Sequence, residues 1–119
     1  CTLADGIAVG NPRDGLKALR ALRESGGQAV SVSDEEILEA LRSLPRETGV
    51  FVEPAAAAAY AGFLKVTAAG QLPVDARVVL LMTGSGLKDI DTAIGSVTIP
   101  EAVEPDLKNI FAADDGMIT

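Results

Sequence analysis

Apolar residues recur at helical spacing near the start of the chain, and this pattern predicts a first helix. Leu16, Leu19 and Leu22 lie three residues apart, which is the spacing of one helical face. Asn11 is predicted to cap this helix, with Pro12 as its first residue. A pair of glycines follows the helical pattern and is predicted to end it.

Two further helices are predicted from their boundary residues. Ser33 and Glu36 form the capping-box pattern that begins a helix. Pro45 is predicted to end or kink this helix, because proline removes a backbone donor. Pro54 is predicted to begin a third helix, which ends near Gly70. The apolar face of the second helix consists of Ile37, Leu38, Leu41 and Leu44.

Three short apolar segments between and after these helices predict strands. They are residues 29–33, 50–52 and 77–82. Alternation of helices and strands is typical of a parallel sheet with right-handed crossovers. The fold class is therefore predicted to be α/β, with a mainly parallel sheet between flanking helices in three layers.

The alternating pattern weakens after Asp89. Residues 92–97 and 106–113 are predicted to form short elements, with two prolines between them. We therefore interpret residues 1–119 as a single α/β unit whose last part, residues 90–119, is a C-terminal tail.

The composition predicts an aliphatic core and a surface that is partly covered by other protein. Apolar residues make up 48% of the chain and aromatic residues only 3%, and the mean hydropathy is +0.29. Large exposed apolar surface is typical of an interface. We therefore expect contact with the remainder of a larger protein, and assembly into a homo-oligomer.

Charge and cysteine content argue against several classes of protein. The formal net charge is −7, which disfavours binding to nucleic acid. The single cysteine, Cys1, permits no internal disulfide, as is typical of a cytoplasmic protein. No apolar run is long enough to span a bilayer, so a membrane is not an expected partner. Since the chain begins with cysteine rather than methionine, we expect either a processed start or a piece of a longer protein.

The side chains of this sequence do not supply a complete catalytic or metal centre. The chain has no histidine, so neither a Ser-His-Asp nor a Cys-His arrangement is available. A typical zinc site also lacks ligands. A Walker phosphate loop is excluded because Lys88 is followed by Asp89 rather than by serine or threonine. No catalytic residue and no metal ligand is predicted.

The turn that follows the last predicted strand is a candidate ligand site. Ligands bind at the carboxyl ends of strands in open parallel sheets, and Gly84 and Gly86 would let the backbone approach a ligand closely. The Thr83 hydroxyl can form one hydrogen bond with a heteroaromatic ring. An ordinary turn is the alternative that the residues alone leave open. Glu53 precedes the alanine-rich start of the third predicted helix. The small side chains there indicate close packing of this helix against a neighbour or, alternatively, a ligand contact.

Four sequence blocks occur in a specific order and spacing: residues 4–12, 32–37, 49–55 and 83–89. This ordered set resembles threonine synthases and their relatives, which are pyridoxal-phosphate enzymes of the tryptophan synthase β-like fold. The resemblance implies that the chain is the C-terminal portion of the large domain of such an enzyme. The full enzyme would convert O-phosphohomoserine and water to threonine and phosphate.

The resemblance also implies a site for pyridoxal phosphate. The hydroxyl of Thr83 would face the pyridine nitrogen, Gly84 would lie beside it, and Glu53 would lie close to the same site. The lysine that forms a Schiff base with the cofactor lies far upstream of this turn in the family. It is therefore not expected in this chain, and the chain alone is not expected to be active.

Two alternatives to a threonine synthase fragment are open. Residues 4–9 are also similar to threonine and serine dehydratases, and Ala8 stands where many synthases have arginine. A dehydratase fragment is therefore one alternative. The other is a free-standing α/β module without catalysis that serves assembly or ligand sensing.

Overall fold

Helices account for the regular structure in the described part of the chain. The computed structural model describes residues 2–99, 101–102 and 104–106. Its α-helices are α1 (Gly15–Ser25), α2 (Asp34–Thr48), α3 (Pro54–Ala68) and the short α4 (Ile90–Gly95). Single turns of 3₁₀ helix lie at Asp5–Ile7 and Gly86–Lys88.

The capping box predicted at the start of α2 is confirmed. The Glu36 amide donates to Ser33 Oγ at 3.2 Å, and the Ser33 amide donates to Glu36 Oε2 at 2.7 Å. The bond from the Ser33 amide, followed by the bond from the Lys65 ammonium, lowers the pKa of Glu36. The stabilisation from this carboxylate is therefore present above its ordinary pKa of 4.5 and is lost as the pH falls through the lowered value.

Of the two effects predicted for Pro45, an end of α2 is wrong and a kink stays a prediction. The helix continues to Thr48 and is closed by Gly49, whose φ of 75° lies in the left-handed region. Proline removes its own N–H, but two other bonds hold the last turn. The Gly49 amide donates to the Pro45 carbonyl at 2.9 Å, and Thr48 Oγ1 donates to the Leu44 carbonyl at 2.7 Å.

Helix α1 begins later than predicted. Asn11 and Pro12 precede the helix, and Asp14 occupies the N-cap position. The Gly15 amide donates to the Pro12 carbonyl at 3.2 Å, so Pro12 belongs to a separate turn rather than to the helix. The predicted end is confirmed, because the helix stops at Gly26 with a φ of 66°, a conformation that favours glycine.

Helices α2 and α3 pack against each other and form the core of the described residues. The prediction that Pro54 begins α3 is confirmed. Many of the buried side chains are alanines, and small residues let two helices approach closely. The buried apolar residues are Ala4, Ile37, Ala40, Leu41, Leu44, Val52, Ala56, Ala57, Tyr60 and Ala61.

Tyr60 adds a polar link between the two helices. Its side chain is buried in the core, and its hydroxyl donates to Glu47 Oε2 at 2.7 Å. This bond, together with burial and the negative charge of Glu47, raises the pKa of Tyr60, because the ionised phenol could not donate. The link is therefore maintained at neutral pH.

The N-terminal segment lies against the start of α2 and of α3. Thr2 Oγ1 donates to Asp34 Oδ1 at 2.5 Å, and the Leu3 amide donates to Asp34 Oδ2 at 3.2 Å. Ala4 is fully buried, and a Cβ at Gly6 would lie 3.1 Å from that of Ala55. These contacts place the 3₁₀ turn beside the N-terminus of α3.

Helix α1 has no packed face in the described structure. None of its residues is buried, and the side chains of Leu16 and Leu19 are 85% and 52% exposed. Its leucines therefore form an apolar face, as the spacing predicts, without a covering element among the described residues.

The predicted parallel sheet is not confirmed. Within the described ranges, residues 29–33, 50–52 and 77–82 form no strand, and the recorded pairing is an isolated antiparallel bridge between Val52 and Ser85. A strand requires a neighbour that pairs with its amides and carbonyls. The three segments do not pair with one another here, so their apolar pattern alone does not produce a sheet.

The region after Asp89 contains α4, which overlaps the short element predicted at residues 92–97. The element predicted at residues 106–113 lies outside the described residues, apart from Asp106.

Removal of the α2 cap is expected to destabilise the chain. Ser33→Ala deletes the acceptor of the Glu36 amide bond and should lower the free energy of unfolding by about 1 kcal/mol. Urea unfolding followed by circular dichroism measures the loss. Ser31→Ala is the matched control, since the Ser31 contact to Lys65 is made by its backbone carbonyl. Equal effects of the two substitutions would contradict the capping role.

Candidate functional site

A pair of backbone hydrogen bonds joins the start of α3 to the glycine-rich turn. The Glu53 amide donates to the Gly84 carbonyl at 3.0 Å, and the Gly86 amide donates to the Phe51 carbonyl at 3.2 Å. Between them, Val52 is buried in the core at 2% exposure. The turn is therefore fixed to the core, although it lies about thirty residues away along the chain.

The two glycines of the turn allow close approach between segments of this chain. Neither Gly84 nor Gly86 has a positive φ, so their backbone conformation does not require glycine. Both are buried. A Cβ at Gly84 would overlap the carboxylate of Glu53, and a Cβ at Gly86 would overlap the ring of Phe51. Internal packing therefore requires their small size, whereas the sequence alone left a ligand contact and an ordinary turn as alternatives.

Glu53 occupies the N-cap position of α3 with its carboxylate directed elsewhere. Its carbonyl accepts from the Ala56 and Ala57 amides at 3.0 and 2.9 Å, and its side chain makes no cap hydrogen bond. The carboxylate lies against Gly84, and its Oε2 atom is 3.9 Å from Lys88 Nζ. The Glu53 side chain is only 20% exposed, so this charge is partly removed from water.

A cleft of about 510 Å³ opens beside Glu53. Its lining combines carboxylates with one ammonium group and several small or apolar side chains. The lining residues are Leu3, Asp5, Gly6, Glu53, Pro54, Ala55, Lys88, Asp89 and Thr92. The cleft is formed by the N-terminal segment, the start of α3 and the segment after the turn.

Of the three predicted cofactor residues, two are in contact in the structure, and the third lies outside the cleft. Glu53 and Gly84 are in contact. Thr83 precedes Gly84, is exposed and does not line the cleft. Its hydroxyl forms no hydrogen bond with the described residues. The assignment of all three to a cofactor stays a prediction.

Lys88 and Phe51 are residues near the turn whose contacts the sequence did not predict. Lys88 was considered as the lysine of a phosphate loop, and Phe51 as part of a strand. Lys88 ends the 3₁₀ turn that Gly86 begins, so its position relative to Gly86 is a local signal. Phe51 accepts from the distant Gly86 amide, and no local pattern relates these two residues.

Comparison with known proteins identifies the family. Residues 1–84 match the sequence profile of the family described as pyridoxal-phosphate dependent enzyme. The chain belongs to this family. The match includes Thr83 and Gly84, so it extends from the N-terminal segment to the turn.

Curated relatives at 41% to 46% identity are threonine synthases. That of Methanocaldococcus jannaschii is 46% identical over 106 residues, which are 89% of this chain and 26% of the relative. That of Synechocystis is 46% identical over 114 residues, 94% of this chain and 29% of the relative. That of Halalkalibacterium halodurans is 41% identical over 110 residues, which are 92% of this chain and 31% of the relative. The chain spans between a quarter and a third of the length of these relatives.

The turn offers one hydrogen-bonding group to the ring of pyridoxal phosphate, and this role of Thr83 stays a prediction. The exposed Thr83 hydroxyl has no internal partner in the described part of the chain, so it is available to a ring nitrogen. The carboxylates of Asp5, Glu53 and Asp89 in the cleft disfavour a phosphate group, because like charges repel. The cofactor's phosphate would therefore need residues other than these.

The described residues contain neither a cluster of metal ligands nor a membrane-spanning helix. No group of three or more histidine, cysteine, aspartate or glutamate side chains among them is arranged to hold a metal ion. No helix within the same ranges has the length and apolar character needed to cross a membrane.

A side chain at Gly84 is expected to disrupt the bridge to α3. Gly84→Ala places a methyl group where the Glu53 carboxylate lies, and overpacking of this kind costs about 1–3 kcal/mol. Urea unfolding measures this loss of stability. In Glu53→Ala/Gly84→Ala the overlap is absent, so the double variant should lose less than the sum of the single variants.

Gly62→Ala is the control for this substitution. A Cβ at Gly62 would meet no atom within 4 Å, and alanine favours the interior of α3 by about 1 kcal/mol over glycine. If the free energy of unfolding of Gly84→Ala were equal to or above that of Gly62→Ala, residue 84 would not need to be glycine.

Proposed function

We propose that this chain is the C-terminal part of a threonine synthase, which converts O-phosphohomoserine and water to threonine and phosphate. The proposal is supported by membership of the pyridoxal-phosphate dependent family and by the threonine synthases that match most of this chain. The substrate and the remainder of the enzyme are its proposed partners. We do not assign activity to the chain alone.

The observation that carries the proposal is the contact between the glycine-rich turn and the start of α3. It places Glu53 against Gly84, one residue from Thr83, whose hydroxyl has no partner among the described residues. In the proposed enzyme, the Thr83 hydroxyl hydrogen-bonds the pyridine nitrogen, and Gly84 lies beside this contact. When bound, pyridoxal phosphate supplies the electron sink for elimination and addition at the substrate's carbons.

We also propose that the three segments predicted as strands, residues 29–33, 50–52 and 77–82, become strands in the whole enzyme. In this arrangement, residues 1–119 are a single α/β unit of the large domain, residues 90–119 are its C-terminal tail, and the mainly parallel sheet lies between two helical layers. The exposure of Val78, Val79 and Leu81 at 45%, 84% and 73% supports this proposal, since central parallel strands are apolar on both faces.

The exposed apolar surface also supports a homo-oligomer of the whole enzyme. The low cysteine content supports a cytoplasmic location. Both assignments belong to the same proposal, and each depends on the complete enzyme rather than on this chain.

A chimeric enzyme tests the proposed function. This chain replaces the matching segment of the Methanocaldococcus jannaschii threonine synthase, which is 46% identical to it. The chimera is expected to release phosphate from O-phosphohomoserine and form threonine in equal amounts. Conversion of threonine to a 2-oxo acid and ammonia, without threonine synthesis, would instead favour the dehydratase. A folded chimera without either reaction would favour the non-catalytic module.

Thr83→Val in this chimera tests the role of the hydroxyl. Valine preserves the shape of threonine but removes one hydrogen bond, worth about 1 kcal/mol, so turnover should fall about fivefold or more. The absorption band of the bound cofactor should shift, because the partner of its ring nitrogen changes. The readouts are stopped assays for threonine and the absorption spectrum.

Thr67→Val is the matched control, since Thr67 is exposed near the end of α3 and does not line the cleft. Its spectrum and rate should equal those of the unsubstituted chimera. The same result for Thr83→Val would remove Thr83 from the cofactor site.

A further inference from the structure

Helix α1 carries two exposed leucines and two arginines on one side. Leu16 and Leu19 are largely exposed, and Arg20 and Arg23 share their side of the helix, because positions i, i+3, i+4 and i+7 fall on one helical face. These residues, with Glu24, line a concave surface of about 530 Å³. Neither arginine forms an ion pair with the described residues. We call Leu16, Leu19, Arg20 and Arg23 the α1 surface.

The sequence that contains α1 is basic, whereas the chain as a whole is acidic. Residues 11–25 have four basic and two acidic side chains, a net charge of +2, against −7 for the chain. One of the acidic residues, Asp14, is already paired with Lys17 at 2.8 Å. The charge of Arg20 and Arg23 therefore has no counterpart on the helix face that they share with the leucines. A surface that is both apolar and acidic would complement it.

Helix α4 presents this complementary combination. Ile90 and Ile94 lie four residues apart on one side of the helix, and each is 49% exposed. Asp91 is exposed beside them. The surrounding sequence, residues 89–106, contains five acidic residues and no basic residue. We call Ile90, Asp91 and Ile94 the α4 surface.

Helix α4 is attached to the core by its other side. Arg42 of α2 donates from Nη1 to the Ser96 carbonyl at 3.3 Å. Ala93 and Ser96 line a small cavity together with Leu41 and Phe51 of the α2 and bridge region. The α4 surface is therefore held in a fixed place while its isoleucines remain exposed.

The α1 and α4 surfaces do not bind each other within one copy of the described structure. No residue of either helix is buried. No hydrogen bond or ion pair joins the two helices among the described residues. Each copy therefore presents both halves of a complementary contact, and a second copy can supply the missing half of each.

We propose that the α1 surface binds the α4 surface of a second copy of the enzyme. Two-fold symmetry repeats the contact, so that each copy contributes α1 to one contact and α4 to the other. The isoleucines of α4 pack on the leucines of α1, and Asp91 faces Arg20 and Arg23. Opposite charges across an interface favour the correct partner. This inference rests on the proposed function, because it supplies the contact of the proposed homo-oligomer.

The test uses the chimeric enzyme and measures its self-association by sedimentation equilibrium. Arg20→Glu places like charges at both copies of the contact and should raise the dimer Kd about tenfold or more, because such juxtapositions are costly. Asp91→Lys should have the same effect. Net charge cannot explain weakening by both variants, since the two substitutions change it in opposite directions.

A mixture of the two variants separates a contact between copies from a contact within one copy. In a mixed dimer, the new glutamate of one copy faces the new lysine of the other, and the second contact keeps its original arginine and aspartate. Both contacts are complementary, so the mixture should associate about as tightly as the unsubstituted chimera. Native mass spectrometry should show the mixed dimer in excess over either homodimer. A mixture that associates no more tightly than the separate variants would contradict the proposal.

Asp75→Lys is the control for reversal of an exposed carboxylate. Asp75 is exposed after α3 and belongs to neither surface. This variant should keep the dimer Kd of the unsubstituted chimera. An increase as large as that of Asp91→Lys would remove the effect from α4 and overturn the proposal.

The outcomes separate this inference from the proposed reaction. A chimera that makes threonine as a monomer would overturn the contact alone and favour cover of α1 by the remainder of its own chain. A dimer that makes threonine but is insensitive to Arg20→Glu and Asp91→Lys would also overturn the contact alone. A chimera that forms the mixed dimer but makes no threonine would overturn the proposed reaction and support the contact.

Discussion

The close packing of α2 on α3 is the interaction on which the other features of this structure depend. Ala40 of α2 and the alanines at the start of α3 are buried, and their small side chains let the two helices approach closely. Larger residues at these positions would push the helices apart. The axis of α3, and hence the position of its first residues, is set by this contact.

The candidate site is an extension of that packed pair. Glu53 immediately precedes α3, and its amide and its side chain both contact Gly84. Because Val52 is buried between the two backbone bonds, the turn cannot move without disturbing the core. Thr83 and Lys88 are thereby placed on either side of the same anchored turn. Thr83 has a hydroxyl without a partner among the described residues, and Lys88 has a charge near Glu53.

Two other parts of the described structure expose apolar side chains that no described residue covers. Helix α1 has exposed leucines, and residues 77–82 carry exposed valine and leucine side chains. The chain spans between a quarter and a third of the threonine synthases that it matches. Unpaired apolar segments are what the edge of a larger domain would present, since strands are stable only when neighbours pair with them.

The sequence by itself determined the features that depend on neighbouring residues. Ser33 with Glu36 specifies the start of α2, Pro54 specifies the start of α3, and Gly26 specifies the end of α1, because each acts through bonds or backbone angles within one helical turn. The order of the four blocks likewise indicated the family. Pro45 does not end α2, because hydrogen bonds donated by Thr48 and Gly49 hold the last turn of the helix.

Only the tertiary structure decided which distant residues meet. The contact of Glu53 with Gly84, and of Phe51 with Gly86, joins positions that no local pattern relates. The sequence alone therefore left open whether these glycines serve a ligand or an ordinary turn. The charge of Lys88 near Glu53 depends on the same contact. The three apolar segments were predicted as strands from their own residue patterns. A strand also needs a neighbouring strand that pairs with it, and the pattern within one segment does not show whether that neighbour is present.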